Sequence, residues 1–275
     1  MLYQERLHPV PTIDSLLNQT PRELRLETEL LVAAAMNWNR SKVLAFGETE
    51  ISESLLPGLN SQLNRLTNGE PFAYITGRRE FFGLEFEVTS DVLIPRADTE
   101  LLVELALSHS RPNARVVDLG TGSGAIAVSL AHARADLTIT ATDTSTAALE
   151  VAQRNAARHD CDIRFVTSEW FQQLAGEFDM IVSNPPYVRS DDPHLSDLSF
   201  EPQGALIAQQ DGLEDIQAIV AGAPLQLTAH GALLIEHGFD QAADVAALFK
   251  QHGFAKVELH KDLAGQPRVT SGRLR

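Results

Sequence analysis

The spacing of apolar positions changes near residue 76 of the chain. Before that point apolar residues recur every three or four positions, which is the period of a helix with one buried face. They are Leu24, Leu30, Leu31, Ala34 and Ala35, and then Leu59, Leu63 and Leu66. Pro21 suits the first turn of the first stretch, and Asn68-Gly69 is a typical stop for the second. The spacing predicts a small helical bundle over residues 1–75, with no evident catalytic group.

Beyond the bundle the pattern becomes that of strands and then of alternating strands and helices. Residues 76–94 contain Phe81 to Val88, which alternates around Gly83 and predicts a β-hairpin connector. From residue 95 to 275 short apolar runs alternate with helical stretches. The predicted strands are 116–119, 137–142, 163–166, 180–183 and 232–236, and the predicted helices are 125–133, 146–158 and a long stretch from Gly212. This alternation predicts an α/β domain with a mostly parallel, doubly wound sheet.

A glycine-rich loop, Asp118-Leu-Gly-Thr-Gly-Ser-Gly124, lies between the first of these strands and its helix. Glycines at alternate positions let the backbone turn sharply and approach a ligand, and the helix N-terminus offers free N–H groups. The spacing differs from the dinucleotide pattern G-x-G-x-x-G, so a simple tight turn is the alternative. Asp143, at the end of the next strand, can accept both hydroxyls of a ribose or cap the following helix. Together the loop and Asp143 favour an adenosine-containing cofactor.

A second motif, Asn184-Pro185-Pro186-Tyr187, follows the apolar strand that ends at Ser183. The two prolines fix the backbone and remove two N–H donors, which leaves carbonyl oxygens free to accept hydrogen bonds. Asn184 adds an amide oxygen and Tyr187 a flat ring. The motif therefore predicts a rigid pocket that accepts both hydrogens of a planar –NH2 group while the ring stacks on it.

In the glycine-rich loop and the Asn-Pro-Pro-Tyr motif, the chain resembles class I S-adenosylmethionine-dependent methyltransferases that act on amino nitrogen. Adenine-N6 DNA methyltransferases share the Asn-Pro-Pro-Tyr motif, so that motif alone does not select the substrate. The wider match, which covers nearly the whole chain, is to the HemK-type release factor glutamine methyltransferases. It rests on Gly69-Glu-Pro-Phe-Ala-Tyr-Ile-Thr-Gly77, Glu80-Phe81, Ile94-Pro-Arg-Ala-Asp-Thr-Glu100, Phe200-Glu-Pro202 and Glu236-His-Gly238.

The resemblance implies a class I methyltransferase fold, with a Rossmann-like, doubly wound sheet of seven strands that is preceded in the chain by the helical bundle and the β-hairpin connector. It implies methyl transfer from S-adenosylmethionine, released as S-adenosylhomocysteine, to the glutamine amide N5 in the Gly-Gly-Gln motif of peptide chain release factors. The bundle would recognise that protein. The implied cofactor residues are Gly120, Thr121, Gly122, Ser123, Gly124, Asp143, Trp170 and Asn184, and the implied glutamine pocket is Asn184, Pro185, Pro186 and Tyr187. Of these, Asn184, Pro185 and Tyr187 are the expected catalytic residues.

Two positions depart from the family pattern. Glu169 stands where relatives more often carry Asp before the tryptophan, which puts its contact with adenine in doubt. Ala97 replaces a residue that is often proline, and we expect this change to matter little.

The net charge of the chain distinguishes between the remaining functional alternatives. Lys and Arg number 22 against 37 Asp and Glu, a net charge of −15, and no basic cluster occurs. Nucleic-acid binding usually needs a basic face, so a DNA adenine methyltransferase is the second choice. A non-catalytic adaptor for release factors is disfavoured by the intact Asn-Pro-Pro-Tyr motif. The nine histidines lack metal-ligand spacing, so no metal is expected.

We also expect a cytoplasmic monomer without direct nucleic-acid or membrane contact. The single cysteine cannot form an internal disulfide, and no apolar run approaches the length of a membrane span.

Overall fold

The computed structural model describes residues 10–275, so residues 1–9 of the predicted bundle lie outside the described part. The chain divides into two compact units between Thr76 and Gly77. The β-hairpin lies in the second unit. None of the described helices is both long and apolar enough to cross a bilayer.

The first unit is built of helices around its own apolar core. The helices are α1 (Ile13–Gln19), α2 (Arg25–Ala35), α3 (Arg40–Ala45), α4 (Leu56–Thr67) and α5 (Phe72–Thr76). Thr12 caps α1 by accepting from the Ser15 N–H at 3.2 Å, and Asn39 caps α3 in the same way. Ile13, Leu31 and Leu59 are fully or almost fully buried in the core. The predicted helical bundle is confirmed in the described residues. The sequence of Thr12 to Leu17, a capping residue ahead of an apolar pair, also agrees with α1, whereas the short helices α3 and α5 were not predicted.

The second unit contains the hairpin and a seven-stranded sheet. The hairpin strands are β1 (Arg78–Phe81) and β2 (Leu84–Glu87). The sheet strands are β3 (Arg115–Leu119), β4 (Thr138–Asp143), β5 (Ile163–Thr167), β6 (Phe178–Ser183), β9 (Leu227–Glu236), β10 (Phe254–Lys261) and β11 (Pro267–Leu274). A small parallel pair, β7 (Val188–Arg189) and β8 (Ile207–Ala208), follows β6 in the chain. The helices are α6 (Glu100–His109), α7 (Ala125–Ala133), α8 (Thr146–Arg158), α9 (Glu214–Gly222) and α10 (Ala242–Gln251).

The strand order of the main sheet is β10-β11-β9-β6-β3-β4-β5. Pairing is parallel from β5 through β9, and β11 runs antiparallel to both of its neighbours. This confirms the predicted class I methyltransferase sheet of seven strands. The hydrophobic pattern identified the five parallel strands but not β10, which has one buried residue, or β11, whose buried centre is Val269-Thr-Ser-Gly272.

Both faces of the sheet are buried, which explains why the central strands are continuous apolar runs. Successive strand residues point to opposite faces, so Val116 packs in one core cluster and Val117 in the other. Helices α6 and α7 cover the first face, together with Phe81 and Phe86 of the hairpin. Helices α9 and α10 cover the second face. The carboxyl ends of the parallel strands are therefore brought together at one edge, where such folds bind ligands.

Candidate active site

A cavity of about 380 Å³ lies at the carboxyl ends of β3, β4 and β6. Its volume falls within the range of roughly 300–1,000 Å³ typical of small-molecule sites. It is lined by Asp91, Val92, Leu93, Gly120, Gly122, Asp143, Thr144, Ser145, Ala148, Ser168, Glu169, Trp170, Asn184, Pro186, Pro202, Gly204, Ala205 and Asp215. The lining thus draws on both sequence motifs and on the ends of four strands of the main sheet, β3, β4, β5 and β6.

The glycine loop forms one wall of this cavity. Gly120, Gly122 and Gly124 all have positive φ angles, of 71°, 55° and 81°, which side chains rarely tolerate. A Cβ on Gly122 would meet no heavy atom of the described residues within 4 Å, so the backbone there faces open space. A Cβ on Gly124 would lie 3.0 Å from the Ala152 Cβ, so this glycine permits close packing of the loop on α8. The loop therefore offers bare backbone to a ligand.

Thr121 and Ser123 hold the loop in shape and lie outside the cavity lining. The Thr121 hydroxyl donates to the Asp118 carboxylate at 2.6 Å, and the Ser123 carbonyl accepts from the Asn155 amide at 2.9 Å. Asp118 is fully buried, and its Oδ1 has no hydrogen-bond partner among the described residues. Burial raises the pKa of Asp118 to about 7, against the lowering effect of the Thr121 hydrogen bond.

Asp143 ends β4 and faces the cavity from beside the loop. Its Oδ2 accepts from the Gly122 N–H at 2.9 Å, and its Oδ1 accepts from the Ser145 N–H at 2.9 Å. The cap of α8 is Ser145, whose hydroxyl accepts from the Ala148 N–H, so Asp143 is not the helix cap. Because each carboxylate oxygen can accept more than one hydrogen bond, the half-buried Asp143 keeps acceptor capacity for a ligand.

Trp170 presents its ring to the cavity next to the glycine loop. A Cβ on Gly120 would lie 3.6 Å from Cζ3 of this ring. The backbone of Trp170 has a φ of 45°, and the turn is held by the Ser168 hydroxyl, which donates to the Trp170 carbonyl at 3.1 Å. The Glu169 side chain is exposed and accepts from the Gln172 amide at 2.8 Å. The ring, rather than the Glu169 carboxylate, is thus held beside the loop.

The Asn-Pro-Pro-Tyr motif directly follows β6, opposite the glycine loop. Asn184 and Pro186 line the cavity, whereas Pro185, which is buried, and Tyr187 are not among the lining residues. The Asn184 Nδ2 donates to the Thr99 hydroxyl at 3.2 Å, and the Tyr187 hydroxyl lies 3.5 Å from Oε1 of Glu236. Burial raises the pKa of the Tyr187 hydroxyl, and the nearby Glu236 carboxylate adds to the effect. The structure therefore brings Asn184, the glycine loop and Asp143 to one cavity.

Comparison with known proteins identifies the family. A family model described as the PrmC N-terminal domain matches residues 13–77, and one described as the methyltransferase small domain matches residues 96–197. The chain is 46% identical over 275 residues to the release factor glutamine methyltransferase of Burkholderia pseudomallei (strain K96243), with 96% of each chain covered. It is also 46% identical to the release factor glutamine methyltransferase of Pseudomonas aeruginosa PAO1, with 94% of this chain and 96% of that one covered.

The chain belongs to the release factor glutamine methyltransferase family. Among solved structures, a methyltransferase from Pyrococcus furiosus has the same fold, with a TM-score of 0.55 at 20% identity, covering 78% of this chain and 98% of that one. The family resemblance and the methyltransferase fold predicted from the sequence are confirmed.

Three polar residues around the site of this methyltransferase had no predicted role. Thr99 contacts Asn184, and Gln241 fixes the Tyr187 carbonyl by donating to it at 3.1 Å. Glu201, which is buried, accepts from the Ile94 N–H and pairs with Arg96, which joins two segments of the cavity wall. Thr99 and Glu201 lie in motifs that carry the family resemblance, and that membership was the available signal. Nothing in the sequence pointed to Gln241.

Proposed function

We propose that this methyltransferase transfers a methyl group from S-adenosylmethionine to the side-chain amide nitrogen of the glutamine in the Gly-Gly-Gln motif of peptide chain release factors. The relatives bear the name release factor glutamine methyltransferase over nearly their whole length. The observation that carries the proposal is the side chain of Asn184, which lies on the wall of the same cavity as the glycine loop and Asp143.

The residues present fit S-adenosylmethionine. Gly122 leaves open space over the loop, Asp143 has acceptor capacity for ribose hydroxyls, and the Trp170 ring offers a flat apolar face for adenine. These groups belong to one continuous cavity of suitable size. When bound, the cofactor supplies an electrophilic methyl group attached to a positively charged sulfur.

The amide nitrogen of glutamine is a weak nucleophile because its lone pair is delocalised into the carbonyl. The protein therefore contributes mainly alignment and charge placement. Oδ1 of Asn184 and the carbonyl oxygen of Pro185 accept the two N–H groups of the substrate amide and stabilise the positive charge that develops on its nitrogen. The Tyr187 ring adds its electron-rich face. One amide proton leaves for water after the nitrogen–carbon bond has formed, when the nitrogen is far more acidic.

We assign recognition of the release factor to the first unit. This unit has its own apolar core, formed by residues such as Ile13, Leu31 and Leu59, and none of its described residues lines the cavity. A separately folded unit without chemistry is suited to holding a protein substrate. The expected monomeric state and cytoplasmic location stay predictions.

The test is methyl transfer from labelled S-adenosylmethionine to purified release factor. The glutamine-substituted factor serves as a control, and duplex DNA tests the adenine methyltransferase alternative. Asn184→Ala should lower the single-turnover rate about 100-fold, the scale for loss of one preorganised electrostatic contact. Asn184→Asp keeps its acceptor oxygens and should retain part of the rate. Equal labelling of the glutamine-substituted factor, or a wild-type rate in Asn184→Ala, would refute the assigned pocket.

A further inference from the structure

A buried carboxylate lies next to the proposed glutamine pocket and takes no part in the mechanism above. Glu236 ends β9, the neighbour of β6 in the sheet, and it is 1% exposed. The register pairs Ser183 with Ile235, so the residues that follow each of them, Asn184 and Glu236, leave adjacent strand ends. One oxygen of this carboxylate faces the Tyr187 hydroxyl, and the other has no hydrogen-bond partner among the described residues.

Thr99 contacts Asn184 and also acts on this carboxylate. Its hydroxyl oxygen accepts from Nδ2 of Asn184 at 3.2 Å, and its hydroxyl group lowers the pKa of Glu236. Thr99 directly precedes α6, where a threonine hydroxyl commonly caps the helix. Here it makes no capping hydrogen bond and is 5% exposed. The hydroxyl is thus directed to the site instead of to its own helix.

The number of protons on each group determines which group donates and which accepts in these hydrogen bonds. A hydroxyl has one proton, and an ionised carboxylate can only accept. When Thr99 accepts from the Asn184 amide, its own proton is free to point to the Glu236 carboxylate. The amide nitrogen of Asn184 then faces Thr99, and its oxygen, on the other branch of the planar group, is left for the cavity.

We propose that Thr99 and Glu236 are positioning residues that orient the Asn184 side chain with its oxygen toward the substrate amide. This inference rests on the proposed function, because it specifies how that function's pocket presents an acceptor instead of a donor. An Asn184 turned the other way would offer an N–H to the –NH2 group and repel it. Selection of an amide nitrogen therefore depends on a carboxylate that does not touch the substrate.

The charges around Glu236 agree with such a role. Burial raises the pKa of Glu236 to about 7, while the hydroxyl groups of Thr99 and Tyr187 and the charge of Arg268 act to lower it. Asp98 acts in the opposite direction, and it also pairs with Arg268 at 3.1 Å. Arg268 pairs with Asp262 at 3.1 Å as well, so its charge is shared. The chain of hydrogen bonds requires the ionised form and is lost when Glu236 gains a proton.

Thr99→Val is the central variant because it removes the hydroxyl at nearly constant volume. We expect kcat on release factor to fall about 10- to 100-fold, the scale of a misplaced reacting group, with little change in the Kd for the cofactor. Thr99→Ser restores the hydroxyl and should restore most of kcat. Thr28→Val is the matched control, since Thr28 is a buried threonine of the first unit whose hydroxyl has no partner among the described residues.

Glu236→Gln supplies the second measurement. Its amide can donate to Thr99, which lets the Thr99 proton turn to Asn184 and reverse that side chain, so kcat should fall although the volume is kept. The wild-type kcat should drop as pH falls below about 7, and this dependence should be weaker in Glu236→Gln. Asp118, whose pKa is also about 7, is present in both proteins, so the difference between the two profiles isolates Glu236.

The outcomes are distinct. Wild-type kcat in Thr99→Val or in Glu236→Gln would overturn the positioning role while leaving the proposed function intact. Parallel losses of thermal stability, cofactor affinity and kcat, without rescue by Thr99→Ser, would show a purely structural role and also overturn it. A wild-type enzyme that leaves the release factor glutamine unmethylated would overturn the proposed function and this inference together. If Thr99→Val does not fold, Glu236→Gln and its pH profile decide alone.

Discussion

Asp143→Ala tests the cofactor site most directly. In the structure this carboxylate accepts from two backbone N–H groups, those of Gly122 and Ser145, each at 2.9 Å. The substitution removes the acceptor for a ribose and also the anchor that holds the glycine loop against the end of β4. We therefore expect both weaker cofactor binding and a less stable fold, and the two effects can be measured separately.

The magnitude follows from the hydrogen bonds that are lost. A hydrogen bond to a charged group contributes about 1.5–3 kcal/mol. Loss of one net contact of this kind to the ribose raises the cofactor Kd roughly 10- to 100-fold. The two abandoned N–H groups add a cost to folding of about 1–3 kcal/mol. Asp143→Asn keeps one acceptor oxygen, so its effects should be intermediate.

Calorimetric titration with S-adenosylhomocysteine gives the Kd, and thermal or denaturant unfolding gives the stability. Asp179→Ala is the matched control. Asp179 is also a half-buried strand carboxylate that accepts a backbone N–H, from Arg115 at 2.9 Å, but it lies near the amino end of β6. The control should lose stability and keep its cofactor affinity. Unchanged affinity in Asp143→Ala would remove Asp143 from the cofactor site.

Three further predictions concern other parts of the molecule. Glu169→Gln should change the cofactor Kd less than about threefold, because the side chain is exposed and held by Gln172; a loss as large as that of Asp143→Ala would assign Glu169 to the adenine. Asp118 has a pKa of about 7 in the folded state against 3.8 as its ordinary value, so its contribution to stability is full below the lower value and is lost as pH rises through about 7. The free energy of unfolding of Asp118→Asn minus that of the wild type should therefore increase by about 2–3 kcal/mol between about pH 5 and about pH 8. The same difference at both pH values would contradict the burial argument. Removal of residues 1–76 should leave cofactor binding unchanged, provided that the remainder unfolds cooperatively, and should raise KM for release factor; an unaltered KM would refute the recognition role.

The sequence predicted the fold well where local chemistry and burial agree. The predicted helices 125–133 and 146–158 coincide with α7 and α8, because α7 follows the glycine loop and is mostly buried and apolar, and α8 has an apolar face and begins after the Ser145 cap. The antiparallel pair β10 and β11 was not visible in the pattern. In β10 only Phe254 is buried, the buried centre of β11 is the mostly polar run Val269-Thr-Ser-Gly272, and register irregularities interrupt their pairing. Their place in the sheet is determined by pairing with β9, which no local pattern contains.

The sequence pointed to individual residues of the cavity but not to the contacts between residues that are distant in the chain. Glycines and prolines act through the backbone of their own segment, so the sequence alone pointed to Gly122 and Pro186, and both line the cavity. The roles of Thr99, Glu201 and Gln241 depend on contacts with residues that are distant in the chain. The number of residues between each of them and its partner is not fixed by the chemistry of the contact, so no sequence motif reveals it. Only the fold, by bringing strand ends together, gives these residues partners.

The dependence of the site on contacts between distant residues affects how the fold selects its substrate. The Asn-Pro-Pro-Tyr motif supplies an amide side chain, but an amide can present either a donor or an acceptor. The motif alone does not determine which of the two faces the cavity. In the arrangement that we propose, this choice depends on Thr99, which directly precedes α6, and on Glu236 at the end of β9. A sequence that retained the motif but lost either residue would keep the shape of the pocket and lose its polarity, and with it the preference for an –NH2 group.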